Sequence, residues 1–306
     1  MSTTTAQVPT GAPTPATGGG LLGLIRRRPI LSFIVLANLM SWLAWIPYIL
    51  SNHGLGIWDF TYPAGGLGGQ LLGVLPGAYL GPIGSALFIT AVTEGRAGVK
   101  AWAKRLWKWR VNWRWYAGIL LGVPLAMIVG GYVFAEGPAY LPTAAVLVAL
   151  VPGLILQMIT TGLAEEPGWR DFLLPRVIRR HGPWKAAVGV GAVWAVWHFP
   201  LYLTEWGQGD VPWFRPVTLL AFCIALNVVM TWVFNRTGQS LPMAMLLHVS
   251  INNFASTAWE QMFPELTYDR AQFSLFAVSA IGAVIVLLAT RGRLGYEPEK
   301  IGADDG

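Results

Sequence analysis

Apolar residues in this chain are gathered into long runs rather than spread at alternating or single-faced spacings. A helix needs roughly 17–25 apolar residues to cross a bilayer core, and eight runs reach that length: 29–50, 71–93, 116–135, 143–164, 186–203, 217–234, 241–259 and 272–290. The pattern predicts an all-α fold, a polytopic membrane helical bundle with about eight transmembrane helices. From just before the second run and into it, Gly69, Gly73, Gly77 and Gly81, followed by Ser85, recur at every fourth position. Small residues at that spacing let helices approach closely in lipid, so this stripe reads as packing. No internal repeat is visible.

Charge supports the count. With the N-terminus inside, segments 1–28, 94–115, 165–185, 235–240 and 291–306 are cytoplasmic and hold 19 of the 21 Lys and Arg residues. The other side keeps only Arg215 and Arg270. Adding or losing one span would invert every later loop and destroy this asymmetry. The expectation is therefore a multi-pass protein of the cell membrane with both termini cytoplasmic. Residues 1–28 are read as a disordered tail with a basic flank, 29–293 as the membrane domain, and 294–306 as a C-terminal tail. Arg26, Arg27 and Arg28 precede an apolar run too long for a signal-peptide core, so an uncleaved anchor is expected there. Between Arg96 and Trp115, seven basic residues alternate with five tryptophans, which predicts an interfacial helix among anionic headgroups.

Composition sharpens this picture. Hydrophobic residues make up 54% of the 306 and charged residues 12%, about half the charge that a soluble domain carries. The net charge of +6 flanks the apolar runs, so no nucleic-acid partner is expected; the partners implied are membrane lipids. A lone Cys223 excludes a disulfide framework.

An ionisable group at mid-bilayer costs at least ~2.5–3.5 kcal/mol, so each one invites a functional reading. Glu165, Glu166 and Arg170 stand at the end of the fourth run, His198 lies in the fifth behind Trp194, and His248 and Asn252 lie in the seventh. Glu166 and Arg170 are four apart, acid first, the favourable order for a helical pair; that pairing leaves Glu165 as the unpaired carboxylate, suited to a general base. Pro167 is expected to disturb α geometry at Glu166. His248 and Asn252 share one helix face. Taken singly, each group has a bland reading: a topological salt bridge, a hydrogen-bonded buried histidine, or helix glue. His53 and His181 fall in predicted loops and are read as structural. Gly207-Gln208-Gly209-Asp210 and Tyr268-Asp269 mimic aspartyl-protease pairs, but they stand outside and in reversed order.

Together, Glu165-Glu166-x-x-x-Arg170, then Trp194-x-x-x-His198, then His248-x-x-x-Asn252 resemble the CPBP intramembrane protease family, which includes CAAX prenyl endopeptidases and bacteriocin-processing or immunity proteins. The resemblance covers about residues 116–260. Trp194 stands where that family most often has Phe, a change read as altering packing more than chemistry. The resemblance implies an intramembrane endopeptidase acting near the cytoplasmic face on a peptide or protein substrate, prenylated or not. Glu165 would activate water, His198 and His248 would be metal ligands or water-positioning groups, Asn252 a ligand or oxyanion donor, and Glu166 and Arg170 supports. Two imidazoles leave a zinc site one ligand short, so a divalent metal and a metal-free Glu–His water site both stay open, with the balance toward metal. The rivals are an ion- or proton-coupled transporter and a catalytically silent immunity or scaffold protein. One geometric difficulty remains. His198 lies ~18 Å and His248 ~10 Å along their helices at 1.5 Å per residue, whereas Glu165 is placed at the membrane edge.

Overall fold

The computed structural model describes residues 20–63 and 65–298, and every regular element among them is helical. Of the uncharged stretch 1–20, expected to be disordered, residues 1–19 lie outside the described residues. A short α1 (Leu21–Arg27) leads into α2 (Pro29–Leu50). Then come α3 (Gly68–Trp107), α4 (Trp113–Phe134), α5 (Ala144–His181), α6 (Pro183–Leu203) and α7 (Phe214–Arg236). The last two are α8, which starts as Leu241–Phe254, and α9 (Tyr268–Thr290).

Seven of these, α2 to α7 and α9, are long and apolar enough to cross a membrane. The seventh predicted span, 241–259, corresponds to α8, which is helical but falls outside that set. It continues through a π-helical Ala255–Trp259 to Met262 and carries Ser250, Asn252, Asn253, Ser256 and Thr257, which lower its hydropathy. Almost all of Leu241–Phe254 is buried, so its surroundings are other helices rather than lipid, where polar side chains find partners. The protein is a multi-pass helical membrane bundle.

The helices are apolar all round because one side meets protein and the other lipid. On α2 the buried face is Phe33, Ala37, Ser41 and Trp45, while Leu31, Val35, Leu39 and Leu43 are exposed. The glycine stripe of α3 packs on that buried face. A Cβ on Gly73, Gly77 or Gly81 would come within 2.2 Å of Tyr48, Trp45 or Ser41 respectively. Ser41 donates to the Gly77 carbonyl at 2.7 Å and accepts from the Trp197 indole at 2.6 Å, which ties α2 and α3 to α6.

Three expectations need correction. The basic segment is not one interfacial helix: Gly95, at φ 66°, kinks α3, helix ends at Trp107, and α4 begins at Trp113. Arg105 is not free for headgroups either, because it pairs with Asp171. Second, α5 does not stop near Glu165 but runs on to His181. Third, Glu166 keeps right-handed helical geometry (φ −64°, ψ −32°) despite Pro167. The chain adapts after it, by widening into a π-helix over Pro167–Leu173. A π turn drops the α ladder that proline cannot join. Past the last helix, Leu294 is fully buried and its carbonyl accepts from Asn235, so the C-terminal segment starts as packed structure.

The aspartyl-protease mimics are structural. Arg215 donates to the carbonyls of Gly207 and Asp210 and pairs with Asp269 at 2.6 Å, tying that loop to α9.

Candidate active site

Local irregularity sets the acidic pair. Glu165 and Glu166 occupy a single α-helical turn, Leu163–Glu166, between two π-helical stretches, Met158–Gly162 and Pro167–Leu173. Such bulges leave carbonyls that need other donors, and side chains from α3 supply them. The Tyr79 hydroxyl donates to the Ile159 carbonyl at 2.6 Å, and the Trp102 indole donates to that of Pro167 at 3.3 Å. Gly168 lets α5 press on α3, since a Cβ there would sit 2.6 Å from the Pro82 carbonyl oxygen.

The neighbouring helices are keyed in by buried amides. Asn227 of α7 donates to the Ala187 carbonyl of α6 at 2.6 Å, and Asn253 of α8 donates to the Leu150 carbonyl of α5 at 2.9 Å. The first contact ties α7 to α6 and the second ties α8 to α5.

The two carboxyls are then treated differently. Glu166 and Arg170 are both fully buried, with Arg170 Nε 3.2 Å from Oε2 of Glu166. Oε1 of Glu166 meets His248 Nδ1 at 2.8 Å. A carboxylate only accepts, so the imidazole hydrogen is on Nδ1 and Nε2 presents a lone pair. Asn252 Nδ2 lies 3.5 Å from that Nε2. Arg170 also donates to Met230 Sδ at 3.0 Å and its guanidinium carbon lies 4.9 Å from the Trp194 ring, while its buried Nη1 has no hydrogen-bond partner among the described residues. Glu166 is thus held from both sides.

Glu165, 6% exposed, accepts one hydrogen bond, from the Trp194 indole to Oε2 at 2.8 Å. Among the described residues its Oε1 has no hydrogen-bond partner. Trp194, expected to alter packing more than chemistry, also makes a polar contact, its N–H to the carboxylate. The same ring lies edge-on to His248 at 5.0 Å and to His198 at 5.7 Å, so it sits at the centre of the cluster. His198, at the end of the α-helical part of α6, has Nδ1 2.8 Å from the Trp194 carbonyl and stacks on Trp206 at 5.9 Å. A carbonyl likewise only accepts, so His198 also presents an Nε2 lone pair.

Glu165, Glu166, Arg170, His248 and Asn252 therefore form one connected cluster, with His198 joined through Trp194. The sequence reading missed the Trp194, Met230 and His248–Glu166 contacts. Only the tryptophan left a sequence signal, an N–H donor set four residues before a buried histidine.

The donor set bears on the zinc expectation. Both imidazoles carry the outer hydrogen bond on Nδ1 that a ligating histidine needs. A structural or catalytic zinc wants at least three protein ligands, and among the described residues no group of three or more His, Cys, Asp or Glu side chains is placed to hold an ion. The residues as arranged do not complete such a site.

Fold and cluster together define a polytopic membrane protein with a buried carboxylate–imidazole centre reached by no soluble domain among the described residues. Residues 147–254 match the family model of the type II CAAX prenyl endopeptidase Rce1-like proteins. Over 139 residues the chain is 25% identical to CAAX prenyl protease 2 of Methanococcus maripaludis, covering 44% of this chain and 48% of that protein. The chain thus spans about half the length of the curated relative it matches. Both matches support the CPBP family, and every residue of the cluster lies inside the matched segment.

Proposed function

We propose that this chain is an intramembrane endopeptidase that hydrolyses a peptide bond with water activated by Glu165. The observation that carries this reading is the asymmetry of the acidic pair. Glu166 is bound by Arg170 and His248, whereas Glu165 keeps one carboxyl oxygen without a partner among the described residues. In the proposed reaction Glu165 takes a proton from water as the oxygen attacks the peptide carbonyl carbon. The tetrahedral oxyanion receives the Asn252 amide N–H. The C–N bond then breaks, and Glu165 returns the proton to the leaving amine. The water's second O–H donates to the Nε2 lone pair of His248 or of His198, which orients it, with Glu166 and Arg170 holding His248 in the required tautomer. No step runs through a metal.

The substrate is a peptide or protein segment presented at the membrane; the names of the matched proteins make prenylated C-termini the first to try. The distribution of basic residues supports a cytoplasmic opening and cytoplasmic termini. Cysteine accessibility at 94–115 and 204–216 should label these segments from opposite sides.

The test is cleavage of prenylated and unmodified peptide libraries by purified protein in lipid. Glu165→Gln, which keeps the shape and removes the base, should lose turnover and retain folding. Near-normal cleavage by that variant, or loss only in Glu166→Gln, overturns the assignment.

A further inference from the structure

We propose that the groove between α4, α7, α8 and α9 is a binding site for one chain of an anionic membrane lipid, with Arg114 at its headgroup end. This groove is a cavity of about 640 Å³, within the range of built ligand pockets, roughly 300–1,000 Å³. Its walls are apolar, including Ile119, Val123, Leu226, Leu247 and Leu275, and its polar residues include Asn112 and Arg114.

Two glycines show that the space is kept open. Gly118 and Gly122 line the cavity, and a Cβ on either would meet nothing within 4 Å. The α3 stripe has the same spacing, yet Gly73 and Gly77 are filled by Tyr48 and Trp45. One stripe is closed by a neighbouring helix; the other faces a vacant slot.

Length and charge select the occupant. From Arg114 to Met127, both in the lining, is thirteen residues of helix, ~20 Å at 1.5 Å per residue. One leaflet of the hydrocarbon core is ~15 Å deep, so a single-leaflet tail fits with its headgroup beside Arg114. The Arg114 side chain is exposed and has no carboxylate partner among the described residues. On the approach to it Arg96, Lys100, Lys104 and Arg110 are exposed, as are Trp107 and Trp109, the signature of attraction to anionic headgroups. Trp115 and Trp232, packed edge-on at 5.1 Å, form a wall where an interfacial aromatic belongs.

The site bears on α8. Leu247 and Ile251 line the groove, while the next residues, His248 and Asn252, belong to the cluster. A bound chain therefore braces the back of the helix that carries the imidazole.

The experiment counts lipids, so it stands apart from whether the chain cleaves peptides. Purified, delipidated full-length protein is titrated with phosphatidylglycerol or phosphatidylcholine, and bound lipid is measured by native mass spectrometry. Wild type should retain one phosphatidylglycerol about fivefold more tightly than phosphatidylcholine, the size expected of one basic contact. Gly122→Leu should lose that lipid, and Arg114→Gln, an exposed change that leaves the core untouched, should bind both lipids alike. Equal retention of the two lipids by wild type, or undiminished phosphatidylglycerol binding by Arg114→Gln, overturns the proposal. One-for-one displacement of the lipid by a prenylated peptide also overturns it, because the groove would then belong to the substrate.

Discussion

Replacing Trp194 with phenylalanine isolates one interaction. The ring stays, and with it the edge contact to His248 at 5.0 Å and the face toward Arg170 at 4.9 Å. What disappears is the N–H donated to Glu165 at 2.8 Å. A hydrogen bond to a charged group contributes ~1.5–3 kcal/mol net. At 1.4 kcal/mol per tenfold, full expression of that loss in the transition state lowers turnover ~10- to 150-fold. The carboxylate swings free in a buried site, so the penalty belongs in kcat, with KM within about twofold of wild type. The assay is steady-state peptide cleavage in lipid, with thermal unfolding measured alongside to exclude a loss of folded protein. A Trp194→Phe enzyme with kcat within twofold of wild type would show that the indole N–H positions nothing.

The rest of the cluster yields three further expectations. Arg170→Ala leaves Glu166 fully buried without its counter-charge, with His248 as its remaining partner, so it should cost ~3–5 kcal/mol of stability, read as a large drop in unfolding temperature. Gly168→Ala puts a methyl 2.6 Å from the Pro82 backbone; overpacking of this kind costs ~1–3 kcal/mol, and cleavage should fall because α5 shifts off α3. Protein shown to be metal-free after chelator treatment should keep its cleavage activity; loss that zinc alone restores would mean that further ligands assemble with substrate.

Much of the fold was legible because lipid imposes long apolar runs that nothing else in the chain imitates. Pro29–Leu50 was bounded to the residue, and the α3 stripe was correctly read as close packing. The end of α5 was not legible. Glu165, Glu166, Arg170 and Asp171 look like a loop by hydropathy, yet all four are buried and helical, solvated by Arg105, His248 and one another. That misplaced end produced the apparent mismatch in depth between Glu165 and the histidines. The acid–base pairing of Glu166 with Arg170 could be read from a four-residue spacing. The Trp194 bond to Glu165 spans 29 residues and two helices, and no local pattern encodes it.

The π-helical stretches on either side of the acidic pair have a consequence for how such a chain tolerates length changes. Each holds one residue more per hydrogen-bonded turn than an α-helix does. Deleting a single residue from Met158–Gly162 would let that stretch relax to ordinary α geometry while every motif downstream stayed letter-perfect. All that follows would then keep nearly its present face, because the wide turn holds its extra residue in almost the same rotation. A deletion from the α-helical Ala144–Gln157 would instead turn the rest by about 100°, one residue's share of a 3.6-residue turn, aiming Glu165 away from Trp194. The wide turn just upstream is therefore the one place in this helix where the chain can shed a residue and still aim the motif.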